Sequence, residues 1–158
     1  MHELTILLLL GVANGVPILA GKMLGDTFSL PLDAGYQFAG KPLFGPSKTI
    51  RGILSALILT SLVAVMVSVP IHVGAIIAML AMLGDLSSSF IKRRLNRPSS
   101  SMFLGLDQIP ESLLPLLYYQ YVFSLDFGQV VTVLFAFFAL ELLVSKILFV
   151  LKIRKQPY

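Results

Sequence analysis

Three short stretches carry most of the residues able to do chemistry. The first is Gly45-Pro46-Ser47-Lys48-Thr49-Ile50-Arg51-Gly52, directly before an apolar run. A glycine-bearing turn opening into a helix offers free backbone N–H groups to an anion, and Lys48, Thr49 and Arg51 add charge and a hydroxyl. It is not a P-loop, because the spacing to a first glycine and the preceding strand are missing. The same cations also fit a plain anchor at a membrane surface, with their heads snorkelling to water.

The second stretch is Gly84-Asp85-Leu86-Ser87-Ser88-Ser89-Phe90-Ile91-Lys92-Arg93-Arg94. On a helix, Asp85, Ser88, Ser89 and Lys92 share one face. At about 1.5 Å per residue, Asp85 sits roughly 10 Å below Lys92. A carboxylate at that depth in a membrane is costly unless it is paired or faces a polar cavity, which makes it a functional candidate. A structural pair with Lys92 or a neighbouring arginine is the plainer alternative, and the basic run by itself anchors a helix end to anionic lipid.

The third is Leu106-Asp107-Gln108-Ile109-Pro110-Glu111. Asp107 reads as a helix N-cap with Pro110 in the first turn. Asp107 and Glu111 are also four residues apart and line one side of that helix end. With Asp85 they place acidic groups from two helices at one level, among many cations. Such a set fits a site completed by a divalent metal and phosphates, since Mg²⁺ is held by one or two carboxylates plus phosphate oxygens. Asp33 is a possible further contributor.

The elements that must position these residues are membrane spans. The chain of 158 residues is 56% hydrophobic and 13% charged, against about 25% charged residues in soluble domains. Hydropathy gives five apolar stretches, Leu4–Met23, Ile53–Val69, Ile71–Ile91, Ile109–Leu125 and Val130–Leu151, against a need of about 17–25 residues per span. Basic residues gather between the first and second stretches (Lys22, Lys41, Lys48, Arg51), between the third and fourth (Lys92, Arg93, Arg94, Arg97), and at the end (Lys146, Lys152, Arg154, Lys155). These are all twelve lysines and arginines. The positive-inside rule then gives five transmembrane helices with the N-terminus outside and the C-terminus in the cytoplasm. Tyr118, Tyr119, Tyr121, Phe123 and Phe127 are expected at the outer interface as an aromatic belt.

The expected architecture is therefore an all-α polytopic membrane protein, a single domain over 1–158. Its site is expected on two cytoplasmic loops. The first loop, Gly25–Gly52, is long and carries Phe28, Leu30, Tyr36, Phe38 and Phe44, so it is expected to fold back on the membrane surface. No cleavable signal peptide is expected, as the first residues hold Glu3 and no basic n-region. Cysteine is absent, which excludes disulfides and thiolate metal sites. Glu141, in the middle of the last stretch, reads either as a cavity residue or as a partner for Lys146. Asn14 and Pro17 suggest a kinked, interior-facing first helix, and His2 and His72 fall on the outer side.

These residues resemble a known family. Pro31-Leu32-Asp33-Ala34-Gly35, then Gly40-Lys41-Pro42-Leu43-Phe44-Gly45 and Lys48-Thr49-Ile50-Arg51-Gly52, are similar to the first cytoplasmic loop of the CDP-archaeol synthase family. Gly84-Asp85, Ser89-Phe90-Ile91-Lys92-Arg93-Arg94 and Leu106-Asp107-Gln108 resemble its second loop and the signature of phosphatidate cytidylyltransferases. Gly45-Pro46-Ser47-Lys48 stands where that family usually has Gly-Asp-Gly-Lys. The resemblance implies an enzyme of the cytoplasmic membrane, its site facing the cytoplasm, that transfers CMP from CTP to a membrane lipid phosphate and releases pyrophosphate. Asp85, Asp107 and Lys92 would be catalytic, with Asp85, Asp107 and Glu111 around Mg²⁺. Lys48, Thr49, Arg51, Ser89, Arg93, Arg94, Gln108, Asp33 and Gly45 would bind substrate. The implied partners are CTP, the lipid phosphate and the bilayer, with no nucleic acid. Archaeol-type ether lipid is the implied acceptor, and phosphatidic acid the alternative. A small transporter or channel subunit is a reading of another class, and it requires polar residues along several spans.

Overall fold

The structure is a computed structural model that describes residues 1–101 and 103–152. Arg154 and Lys155 of the C-terminal basic group lie outside the described residues. Five helices follow one another: α1 (His2–Leu24), α2 (Ile50–Met66), α3 (Ile71–Arg94), α4 (Gln108–Phe123) and α5 (Phe127–Val150). They coincide with the five apolar stretches to within about a turn. By length and apolarity α1, α3 and α5 qualify as membrane spans, while α2 is a shorter apolar helix of 17 residues and α4 has 16.

The ends of the helices follow from their capping residues. Thr49 is extended and its hydroxyl oxygen accepts the Gly52 N–H at 3.1 Å, which starts α2. Asp126 and Gln129 form a reciprocal capping box that starts α5. Pro70 ends the turn after α2 and precedes the first residue of α3, so only four residues (67–70) join the two helices.

The half of the bundle remote from the first loop is a continuous apolar core that includes Ile6, Leu9 and Leu10 of α1, Val73 and Ile77 of α3, Leu116 of α4 and Val133 and Phe137 of α5. Tyr119 belongs to this core too. It is fully buried against His2 and Phe123, and so departs from the expected aromatic belt. The helical period turns it inward beneath Leu116 and Ser112, while Tyr121 and Phe127 do stand exposed. Nearer the site, Ala13, Ala56 and Ala81 let α1, α2 and α3 approach closely. On α2, Leu54, Ile58, Leu62 and Val65 form an exposed apolar stripe.

The long first loop is ordered by pairing that the sequence does not announce. A two-residue hairpin, β1 (Gln37–Phe38) with β2 (Lys41–Pro42), occupies its middle. Leu30 and Leu32 pair with Ile50 and Lys48, so the chain entering α2 is held in an extended ladder. Asp33 fastens the centre, its carboxylate accepting the N–H groups of Gly35 (3.1 Å), Phe44 (2.9 Å) and Gly45 (2.9 Å). Burial acts to raise the pKa of this carboxyl, and the three donors outweigh it, leaving the group below the ordinary carboxylate value.

A folded-state pKa below the unfolded value stabilises above the unfolded pKa, about 4, and that stability is lost as pH falls through the folded one. Asp33→Asn is therefore expected to weaken the loop by about 2 kcal/mol at neutral pH, in the range for hydrogen bonds to a charged group. Limited trypsin cleavage at Lys48 measures this at pH 7, and hydrogen exchange of the Gly35, Phe44 and Gly45 amides measures it on acidification. Unchanged protection of these amides between pH 7 and 3.5 in the native protein, after correction for the intrinsic exchange rate, and unchanged cleavage in the variant at pH 7, would show that Asp33 does not hold the loop.

Candidate active site

The N-terminal end of α2, the C-terminal end of α3 and the N-terminal end of α4 meet at one level, and two lysine–carboxylate pairs link them. Lys48, two residues before α2, reaches Asp85 of α3 with its Nζ 2.5 Å from both carboxylate oxygens. Lys92, two turns further along α3, lies 2.7 Å from the Asp107 carboxylate at the start of α4. Both pairs thus run between elements. The alternative of an Asp85–Lys92 pair along α3 is not realised, because seven residues of helix separate the two by more than a lysine spans when its stem is packed.

Lys48 and Asp85 are about one-fifth exposed, whereas the Lys92 and Asp107 side chains are 7% and 9% exposed. Burial alone would depress the Lys48 ammonium. The carboxylates of Asp85 and Glu111, with Asp107 behind them, reverse this and hold it above the ordinary lysine value. Glu111, one turn into α4 and buried, places its carboxyl within hydrogen-bonding reach of Asp85. Glu141 of α5 is close enough for its charge to act on Glu111.

The helices are brought this close by Gly84. A Cβ there would lie 2.2 Å from the Pro110 carbonyl oxygen and 2.6 Å from the Glu111 nitrogen, so backbone packs on backbone beside Asp85. Asp107 does not cap α4 as expected. Its Oδ2 accepts the Phe103 N–H at 2.8 Å and closes the turn that precedes the helix.

Several of the expected binding residues are committed elsewhere. The Arg94 guanidinium donates to the carbonyls of Phe38, Lys41 and Pro42 and stacks between the Phe38 and Phe90 rings, so it clamps the hairpin to α3. Arg51 donates to the carbonyls of Gly25 and Thr27 at the end of α1. Thr49 caps α2, and Asp33 belongs to the loop scaffold together with Gly45, whose φ of +93° suits glycine.

Arg93 is held by fewer bonds. One terminal nitrogen donates to the Pro98 carbonyl at 2.8 Å, and its buried Nε, like those of Arg51 and Arg94, has no partner among the described residues. Ser89 is buried on the same face of α3. Two features escaped the sequence reading: the close approach at Gly84, and a link between the loops in which the Ser99 hydroxyl meets that of Ser47 at 3.0 Å. The Asx-turn at Asp33, with glycine two residues on, was the one readable sign of that residue's structural job.

This arrangement can take a polyanion with a divalent cation. Asp85 and Glu111 are neighbouring carboxyl groups, and the Lys48 ammonium on Asp85 supplies one counter-charge to them. Among the described residues no group of three or more His, Cys, Asp or Glu side chains is placed to hold a metal alone. Mg²⁺ fits that donor set when phosphate oxygens complete its coordination.

Comparison with known proteins agrees in both sequence and shape. The family model described as CarS-like CDP-archaeol synthase matches residues 4–158. A CDP-archaeol synthase of Pyrococcus furiosus is 38% identical over 107 residues, 61% of this chain and 60% of that one. One of Saccharolobus solfataricus is 38% identical over 85 residues, 50% and 51% of the two chains. One of Pyrobaculum arsenaticum is 34% identical over 113 residues, 67% and 66% of the two. The matched segment spans about half to two thirds of the length of these relatives. A solved structure, described as an intramembrane enzyme for archaeal membrane lipids biosynthesis, superposes with a TM-score of 0.66 at 25% identity, covering 87% of this chain and 90% of that one.

Proposed function

The chain belongs to the CDP-archaeol synthase family, and from that premise we propose that it transfers CMP from CTP to an ether-lipid phosphate in the membrane. The observation that carries this reading is the pairing of Lys48 with Asp85 and of Lys92 with Asp107 at one end of three adjoining helices. Five spans, with the N-terminus outside, put all the basic clusters and this site on the cytoplasmic face. The exposed apolar stripe of α2 supports its crossing as a short span. A transporter would need polar groups along the outer half of the bundle, which here is an apolar core.

In the proposed reaction an oxygen of the lipid phosphate attacks the α-phosphorus of CTP in line. The bond from that phosphorus to the bridging oxygen breaks, and pyrophosphate leaves with the bond's electrons. A phosphate monoester is largely ionised at neutral pH, its second pKa being about 6, so the nucleophile needs no general base. Lys48, Lys92 and Arg93 bind and neutralise the phosphate oxygens, and Ser89 lines the same α3 face. Asp85 and Glu111, joined by phosphate oxygens, would hold Mg²⁺, which when bound would supply charge neutralisation and orientation of the polyphosphate; Asp107 would serve as the counter-charge of Lys92. Arg94, Arg51, Thr49, Asp33 and Gly45 act one step back by holding the loop that presents Lys48.

The direct test incubates purified protein with labelled CTP, Mg²⁺ and a panel of ether and ester lipid phosphates. A CDP-lipid with equimolar pyrophosphate is expected, with geranylgeranyl ether phosphate preferred to phosphatidic acid. Absence of any CDP-lipid across the panel would overturn the reading, and a preference for the ester would reassign the lipid.

A further inference from the structure

Gln108 is the first residue of α4, on the same helix end as Asp107 and Glu111, and is 1% exposed. Its Oε1 accepts the Gly105 N–H at 2.7 Å. Only the oxygen of an amide can accept from an N–H, so this bond fixes which way the group faces. The other end, Nε2, is a buried donor with no acceptor among the described residues. Leaving a buried donor unmet is costly, and such a group in a folded protein is met by ordered water or by a ligand.

Its surroundings narrow the ligand. The loop that sets its direction is fixed twice, by Asp107 on Phe103 and by Gln108 itself on Gly105. Charged phosphate oxygens already have ammonium and guanidinium groups in Lys48, Lys92 and Arg93. A neutral amide adds little attraction for a polyanion. What it adds is direction and a fixed hydrogen-bond sense.

We propose that Gln108 is the base-reading residue of this site, its Nε2 donating to N3 of the cytosine ring of CTP. This inference rests on the cytidylyltransferase reading and goes beyond it by assigning nucleotide specificity to one side chain. Cytosine presents acceptors at N3 and O2. Uracil carries a proton on N3, so a donor aimed there meets another donor. A site built around such a donor discriminates strongly because the wrong base leaves both groups unpaired.

Binding in detergent tests the idea without turnover. Dissociation constants are measured for Mg·CTP, Mg·UTP and Mg·tripolyphosphate by calorimetry, with size-exclusion profiles and melting curves as folding controls. The native protein is expected to prefer CTP to UTP by at least about tenfold. In Gln108→Met, CTP affinity should fall by about tenfold to a hundredfold, the CTP/UTP preference should collapse toward unity, and tripolyphosphate binding should be unchanged.

Gln108→Glu keeps an acceptor for Gly105 and replaces the donor, and its CTP/UTP ratio should move toward UTP. That ratio cancels any general repulsion of phosphate, and it serves if the Met variant does not fold. An unchanged ratio in the folded variants overturns the proposal, as does a proportionate loss of tripolyphosphate in Gln108→Met, which would make Gln108 a phosphate ligand. Equal affinity of the native protein for CTP and UTP sinks it alone. Native protein that binds neither nucleotide fails the enzyme reading as well.

Discussion

Asp85→Asn is expected to lower turnover at saturating CTP and lipid phosphate by about a hundredfold to a thousandfold, the range for removing one electrostatic element from a preorganised site. Two effects are mixed in that variant. It removes a proposed metal ligand, and it leaves Lys48 without the carboxylate that both its contacts reach at 2.5 Å. The second effect is one of stability. It should fall below the roughly 3–5 kcal/mol of a fully buried pair, because about one-fifth of each side chain is exposed.

A charge-neutral double variant separates them. Asp85→Asn with Lys48→Met removes both halves of the pair, so the melting temperature should recover most of what the single variant loses. Turnover should stay low. Recovery of turnover along with stability would reduce Asp85 to a counter-ion for Lys48, and the proposed chemistry would need another ligand.

The second large effect is expected at a residue with no side chain. Gly84→Ala sets a Cβ 2.2 Å from the Pro110 carbonyl oxygen, 2.4 Å from its carbon and 2.6 Å from the Glu111 nitrogen. These are backbone atoms that cannot rotate away, so α3 and α4 must part. Overpacking of this kind costs about 1–3 kcal/mol. Because the wedge sits between Asp85 and the segment carrying Asp107 and Glu111, turnover should fall by at least about tenfold, as expected when reacting groups are misplaced by an ångström.

Gly74→Ala is the matched control. Its Cβ would meet the Ala64 Cβ at 2.4 Å and the Ser61 Cα at 3.1 Å, a comparable clash against α2. It lies ten residues earlier on α3, about 15 Å from the site. Similar loss of melting temperature with turnover retained is expected there. If both variants lose stability and turnover alike, Gly84 contributes only packing.

Much of this was legible in the sequence, for a physical reason. Hydrocarbon demands long apolar helices, so α1, α3 and α5 stand out from hydropathy, and the ionisable residues that survive near them are few enough to single out. Asp85, Lys48 and Asp107 could be nominated in this way. Their pairing could not, because periodicity along one helix says nothing about which neighbouring helix faces it. Lys92 was open to Asp85 by sequence and is taken by Asp107 in space. Arg94 and Arg51 show the same limit. A cation beside a phosphate motif looks like a phosphate ligand until the carbonyls of a folded loop are found around it. The hairpin of residues 37–42 gave no alternation to read, since two-residue strands carry no period.

The lysine–carboxylate pairs have a thermodynamic consequence. Each is a closed circuit in which the charges satisfy one another. A polyphosphate that takes Lys48 leaves Asp85 without its counter-charge, and a divalent cation that takes Asp85 does the same to Lys48. Each ligand alone must break a pair, while the two together exchange partners with no charge left over. By reciprocity, whatever factor the cation adds to nucleotide affinity the nucleotide adds to cation affinity. In the proposed reaction such a site would stay shut to free phosphate and free metal, and open to the complex of the two.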